Sequence, residues 1–482
     1  MSSMRGTQLA RLLGPWHSAP GRRGPGYAAL AAAVRGLLAD GRLPLAVRLP
    51  AERELAEALA VSRTTVSAAY RELREAGYLT SRRGAGSWTA LPHGHRVGTS
   101  GLWSAGDDAD VIDLGVAAHA APTELVAAAR DAAGDLPRHL GGSGYHPAGL
   151  GELREAVAAG YTARGLTTSA EQILITAGTQ QALDLVLRLS LPAGSPALAE
   201  TPTYPNALTA LAARRARIST HGLDPAAGWD GELLLAALRQ ERPRVAYLIP
   251  DFHNPTGHLM DAGLRERLVA AAHSAHTDLI VDESFVDLAL DGEEMPPPVG
   301  VFDRHSRVLS IGGMSKAYWG GLRIGWVRAP APLVQRLAAI RVGVDMAGPV
   351  LEQLVAVRLL AQRAQILAGH RAQLRRQRDA LVTALRTELP EWSFRVPAGG
   401  VMLWAELDGP ISSALAHAAE EVGVRLAPGP RFGLDGTLER FLRLPFSLPP
   451  AELAEAVRRI ASVRCDLDRR TRPGWRAPAV II

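Results

Sequence analysis

A chain of 482 residues is too long for one ordinary core and implies two or three folding units. Its hydrophobic fraction of 47% beside 21% charged residues is that of a soluble globular protein. No run approaches the roughly 18 apolar residues of a membrane span, and the start MSSMRGTQLARLLGPW lacks a signal-peptide pattern, so a cytoplasmic protein is expected. The net charge of +5 is unevenly spread: residues 1–90 hold 13 arginines against 6 acidic residues, and the remainder holds 40 basic against 42 acidic. That is the electrostatic footprint of an N-terminal polyanion binder.

Residues 1–22 read as an irregular basic tail, with Pro15 and Pro20. A helical pattern then starts near Tyr27, where Leu30, Val34, Leu37 and Leu38 fall on one face and Gly41 follows as a stop. Leu55, Leu59 and Val61 bracket a short helix and a turn. Val66, Tyr70 and Leu73 line the next helix, which Ser62 caps and Gly77 ends. Two short strands about the turn Arg82-Arg83-Gly84-Ala85-Gly86 make a wing, completing a domain over residues 23–90. Residues 91–112, rich in His, Gly, Ser and Asp without periodicity, read as a linker.

Residues 113–475 read as one α/β domain, followed by a tail over 476–482. Apolar runs at Ile173–Thr176, Val245–Pro250, Leu279–Val281 and Val308–Ile311 alternate with helical stretches. Such alternation predicts a largely parallel sheet whose loops gather at the strand C-terminal ends. The stretch from Pro349 to Leu389 predicts long helices leading to a smaller C-terminal subdomain.

Lys316 is the only lysine in the chain. Arginine serves wherever charge alone is needed, but it cannot be deprotonated and cannot form a Schiff base, whereas a neutral lysine amine can. A sole lysine in an arginine-rich chain therefore points to amine chemistry. The single cysteine, Cys465, excludes an intramolecular disulfide framework and a cysteine-built metal site, and no metal is expected.

The segment LPAERELAEALAVSRTTVSAAYRELREAGYL, Leu49 to Leu79, resembles the winged helix-turn-helix of the GntR superfamily. A recognition helix starting at Ser62 aims its N-terminal residues at the groove of double-stranded DNA. By that likeness Arg53 and Arg63 contact bases or phosphate, and Thr64 stands beside them. Ser62, Thr65 and Ser67 contact mostly backbone; Arg82, Arg83 and Gly86 lie in the wing near the minor groove.

The run Gly313-Met314-Ser315-Lys316, with Gly320-Gly321-Leu322-Arg323 after it, resembles the lysine segment of fold type I enzymes that use pyridoxal 5'-phosphate. The resemblance implies an internal aldimine on Lys316, with Arg323 on the cofactor phosphate. Asp282 in VDESF would face the pyridine nitrogen, where an anion keeps the ring an electron sink. Asn254 in HNPTG would reach the phenolic oxygen and the bound effector, and Tyr204 would stack on the ring. The backbone N–H groups of Gly178, Thr179 and Gln180, at the start of a helix, would cradle the phosphate. Tyr145 in GYHPAG would reach the partner subunit's phosphate, implying a homodimer, and Arg443 in FLRLPF would take an effector carboxylate. Three positions depart from the pattern: Phe285 for a common tyrosine, Gly313 for a Ser or Thr, and Gly320 for a frequent proline.

A GntR-type reader joined to an aminotransferase-like domain is similar to the MocR subfamily. The likeness implies a cofactor-dependent transcription regulator that senses a small amine or amino acid, or the cofactor itself, by aldimine exchange at Lys316. The alternative is a working aminotransferase with an appended DNA-binding domain, since Lys316, Asp282 and Arg443 are all retained.

Overall fold

The computed structural model describes residues 3–14, 16, 26–40, 42–82, 86–90, 111–434 and 436–471. The N-terminal domain, the reader, has four helices: α1 (Gly6–Leu13), α2 (Gly26–Ala39), α3 (Glu52–Leu59) and α4 (Arg63–Glu75). An antiparallel pair, β1 (Leu79–Arg82) and β2 (Gly86–Thr89), forms the wing. Its core joins Leu30, Val34 and Leu38 of α2 to Leu55 of α3 and to Val66, Tyr70 and Leu73 of α4. These are the periodic positions of the sequence. Tyr70 seals the turn before α3, donating its hydroxyl to the Pro50 carbonyl at 3.0 Å.

The expected N-terminal tail is only partly a tail. Residues 6–13 are helical, and Leu9 and Leu13, one turn apart, are buried in the reader core against α3. A helix of eight residues is too short to announce itself by periodicity and is stable here through tertiary packing. Gly41, Arg83 and most of the expected linker, 91–110, lie outside the described residues, as does the tail 476–482. The linker's last residue does not belong to it: β3 (Ile112–Asp113) pairs in parallel with Val424–Arg425 of the large domain.

The large domain is built on seven strands: β4 (Ile173–Thr176), β5 (Pro196–Thr201), β6 (Arg217–Gly222), β7 (Val245–Leu248), β8 (Asp278–Asp282), β9 (Val308–Gly313) and β10 (Gly325–Arg328). Their order is β4-β10-β9-β8-β7-β5-β6, parallel throughout except for β10, which is antiparallel to both neighbours. β4, β7 and β8 are buried along their whole length because helices cover both faces, hence the apolar run inside each.

The smaller lobe has β11 (Ser393–Phe394), β12 (Met402–Glu406), β13 (Val424–Arg425), β14 (Ala427–Pro428) and β15 (Phe441–Pro445). Four of them form an antiparallel sheet in the order β11-β12-β15-β14. The long helices Val350–Ala361 and Arg363–Glu388 lead to this lobe. Among the described residues no helix is long and apolar enough to cross a membrane, and no group of three or more metal-ligating side chains occurs.

Candidate functional site

Five loops converge at the C-terminal edge of the parallel strands, where an open α/β sheet leaves its ligand crevice. After β4 comes Gly178, with φ +81°, and then the helix Thr179–Ser190, whose first-turn N–H groups have no helical acceptor of their own. The positive φ favours glycine at 178, and a Cβ there would meet the Arg323 guanidinium at 2.7 Å. Arg323 sits in a left-handed turn, φ +51°, and donates Nη2 to the Ala177 carbonyl at 2.8 Å. A cationic fork and a helix N-terminus thus meet over one small space, an anion cradle.

Gly313 also finds its reason here. A Cβ at 313 would sit 2.6 Å from Thr179 Oγ1, so the hydroxyl comes from the facing helix instead of from the lysine loop. Phe285 is buried within the main core and brings no phenol.

Asp282 ends β8 and is buried. Its Oδ2 accepts from Tyr247 Oη at 2.7 Å and its Oδ1 from the Ser284 N–H at 2.9 Å. Burial raises its carboxyl above the ordinary value, against the pull of those hydrogen bonds. Tyr204 Oη accepts from Asn206 Nδ2 at 2.9 Å, so the chain's two asparagines both serve this crevice. Asn254 is buried with its Oδ1 unpartnered, and Gln180 Oε1 is likewise orphaned. Buried polar atoms are usually paired, so these two are free to meet a ligand in the crevice.

Lys316 follows β9. Its Nζ donates to the Ala117 carbonyl at 2.7 Å, and desolvation, then the nearby charge of Arg443, lowers its amine to about 8. Arg443, on β15, is buried, donates Nη2 to the Gly115 carbonyl and leaves Nε unpartnered. Its guanidinium lies over the Phe432 ring at 5.2 Å, and burial, then Arg431, lowers it to about 10. One segment, Gly115 to Ala117, therefore ties both cationic groups. Tyr145 stands apart, 61% exposed.

Sequence reasoning missed Tyr247, the Gly115 and Ala117 carbonyls, and His119, whose ring lies 4.0 Å from that of His370. His119 is buried with both ring nitrogens unpartnered, and desolvation, then His370 and Lys316, lowers it to about 3. No local pattern signals these.

In the reader, Ser62 caps α4: its Oγ accepts from the Thr65 N–H at 3.0 Å and lies 2.7 Å and 2.8 Å from the Thr64 and Thr65 hydroxyls. Arg63 is 72% exposed, with Nε 3.7 Å from Glu52 Oε2, and Arg53 is exposed on α3. Ser67 is half-buried on α4, and Arg82 ends β1. Gly86, φ +110°, backs onto the Arg48 guanidinium.

These two halves have matching relatives. Residues 109–460 match the family model described as aminotransferase class I and II, and residues 26–88 match bacterial regulatory proteins, gntR family. The chain is a GntR-type regulator of MocR architecture. It is similar to the uncharacterized HTH-type transcriptional regulator YdfD of Bacillus subtilis, 30% identical over 82% of this chain and 86% of that one. It is also similar to the probable rhizopine catabolism regulatory protein MocR of Rhizobium meliloti, 30% identical over 62% of this chain and 64% of that one. Among solved structures it resembles LysN, the α-aminoadipate aminotransferase of Thermus thermophilus complexed with N-(5'-phosphopyridoxyl)-L-leucine. The TM-score is 0.68 and the identity 32%, covering 74% of this chain and 93% of that one.

The cofactor of this MocR-type regulator is pyridoxal 5'-phosphate, and its residues fit that group. The anion cradle suits a phosphate, buried Asp282 suits a pyridinium, and the Asn254 amide would have to donate from Nδ2 to a ring oxygen. Lys316, its amine held partly neutral by burial, would supply the amine.

Proposed function

We propose that this regulator takes a small amine or amino acid as effector at the seat framed by Lys316 and Arg443, and that its DNA affinity responds. When bound, pyridoxal 5'-phosphate supplies a carbonyl carbon open to primary amines, so an effector amine competes there with Lys316. The observation that carries the reading is that Lys316 Nζ and Arg443 Nη2 are held by carbonyls two residues apart, Ala117 and Gly115. The Gly115 carbonyl occupies one position of the Arg443 fork, and an effector carboxylate would take its place there.

Arg63 and Arg53 approach operator DNA, Ser62, Thr64, Thr65 and Ser67 set the pose of α4 on it, and Gly86 with Arg82 and Arg83 brings the wing. The regulator works as a homodimer in the cytoplasm. The exposure of Tyr145 and, five residues before it, of Leu140, 68%, supports a partner there, since neighbouring apolar side chains left on a surface favour an interaction site. The test is Arg443→Ala: it keeps the lysine-linked chromophore but loses the response of operator binding to amino acids. Unchanged effector response refutes carboxylate recognition. Multiple turnovers with a keto acid acceptor, with operator binding indifferent to every amine, would establish the aminotransferase instead.

A further inference from the structure

Arg443 has a cationic neighbour at the effector seat. Arg431 stands in the turn Gly429–Phe432, close enough that its charge acts on the Arg443 guanidinium. Arg443 in turn acts on Lys316. Three cationic groups therefore follow one another, and like charges brought together out of water are costly unless an anion joins them. The carboxylates within reach are already engaged. Asp113 accepts from Arg425 Nη1 at 2.9 Å and from the Gly115 N–H at 2.7 Å, and Asp282 accepts from Tyr247 and Ser284. Arg431 is half-buried, and burial lowers its basicity. Among the described residues it makes no hydrogen bond and no ion pair.

Trp404 adds a donor of the same kind. It lies directly opposite Arg443 in the β12–β15 ladder, so both side chains rise from one face of the sheet. Trp404 Nε1 and Arg443 Nε are both buried and unpartnered. Phe432, the residue after Arg431, meets both: its ring centroid lies 5.2 Å from the Arg443 guanidinium carbon and 5.4 Å from the Trp404 ring. The turn that carries Arg431 is held in place. The Thr203 N–H, one residue before Tyr204, donates to the Phe432 carbonyl at 2.8 Å. A Cβ at Gly429 would run into the carbonyl oxygens of Leu438 and Phe441, so a side chain there would push the turn away. A guanidinium on a fixed turn gives up little freedom when it pairs.

We propose that the seat takes a small molecule with two acidic groups, one on Arg443 and one on Arg431. Each guanidinium has N–H groups to spare for a carboxylate, and the second carboxylate supplies the anion that Arg431 lacks. With the amine directed to Lys316, the effector class is a dicarboxylic amino acid. The place of the amine rests on the proposed function; the two acid subsites do not. A monocarboxylic amino acid would pair Arg443 and leave Arg431 desolvated without an anion, so the seat discriminates against it. The amide of the same acid fills the same volume but brings no charge, and the difference between the two isolates the contribution of Arg431.

The test titrates full-length, cofactor-loaded protein in a calorimeter with succinate and glutarate against butyrate and pentanoate, which match them in chain length and lack the second acid. The tighter dicarboxylate should bind at least about tenfold better than its monocarboxylate, the scale of one hydrogen-bonded charge. Arg431→Gln should bring that ratio to about twofold or less by weakening the dicarboxylate alone. A smaller ratio in the wild type, or an Arg431→Gln variant that weakens both acids equally, overturns the proposal. A second arm measures operator binding with L-glutamate against L-glutamine and L-aspartate against L-asparagine. If dicarboxylates bind through Arg431 while no amino acid alters operator affinity, the acid subsites stand and the sensing reading falls. If acid and amide alter operator affinity equally, the acid subsites fall and the sensing reading stands.

Discussion

Because Lys316 is the only lysine, its ionisation can be watched without interference from any other side-chain amine. Its amine falls from the ordinary 10.5 to about 8, first by desolvation and then by Arg443, against the opposing effect of Asp282. At pH 7.5 an amine of pKa 8 is about 24% neutral, against about 0.1% for one at 10.5, roughly a 200-fold gain in the form that attacks a carbonyl. For stability the shift is unfavourable. The folded state releases its proton at lower pH than the unfolded chain, so a penalty is fully present below about 8 and disappears as pH rises through 10.5. Its ceiling is about 3 kcal/mol, from about 1.4 kcal/mol per pH decade. Reductive ¹³C-methylation of cofactor-free protein should give one lysine resonance titrating near pH 8. Arg443→Ala should move that midpoint upward. A midpoint at 10 or above in the wild type, or one indifferent to Arg443→Ala, would refute the reasoning.

Three further outcomes are expected. Tyr247→Phe removes a hydrogen bond to a buried carboxylate, worth about 1.5 to 3 kcal/mol; it should raise the carboxyl pKa of Asp282 and shift the pH dependence of the cofactor's absorbance, and an unchanged profile would remove Tyr247 from the site. Arg63→Ala should cost about 1 to 3 kcal/mol of operator affinity if it reads a base, whereas equal weakening on all sequences, with a salt slope lower by about one, marks a phosphate contact. Leu9→Ala should destabilise the reader by about 2 to 5 kcal/mol in denaturant unfolding, and a loss under about 0.5 kcal/mol would return α1 to the status of a tail.

Much of this protein is written locally. Val66, Tyr70 and Leu73 repeat at the helical period, Ser62 caps the helix that begins one residue later, and β4, β7 and β8 each hold an apolar run because both their faces are covered. The singular Lys316 was legible because scarcity exposes a chemical requirement. What the sequence could not determine are contacts between residues far apart in the chain. Tyr247 meets Asp282 only because β7 and β8 are neighbours, Gly313 is small only because Thr179 faces it, and Gly115 and Ala117 bind Arg443 and Lys316 across 328 and 199 positions. The eight residues of α1 form a helix because Leu9 and Leu13 find a core built by others. Periodicity and capping act within a few residues of chain, whereas a hydrogen bond across a crevice depends on strand order and lobe placement, which tertiary packing alone decides.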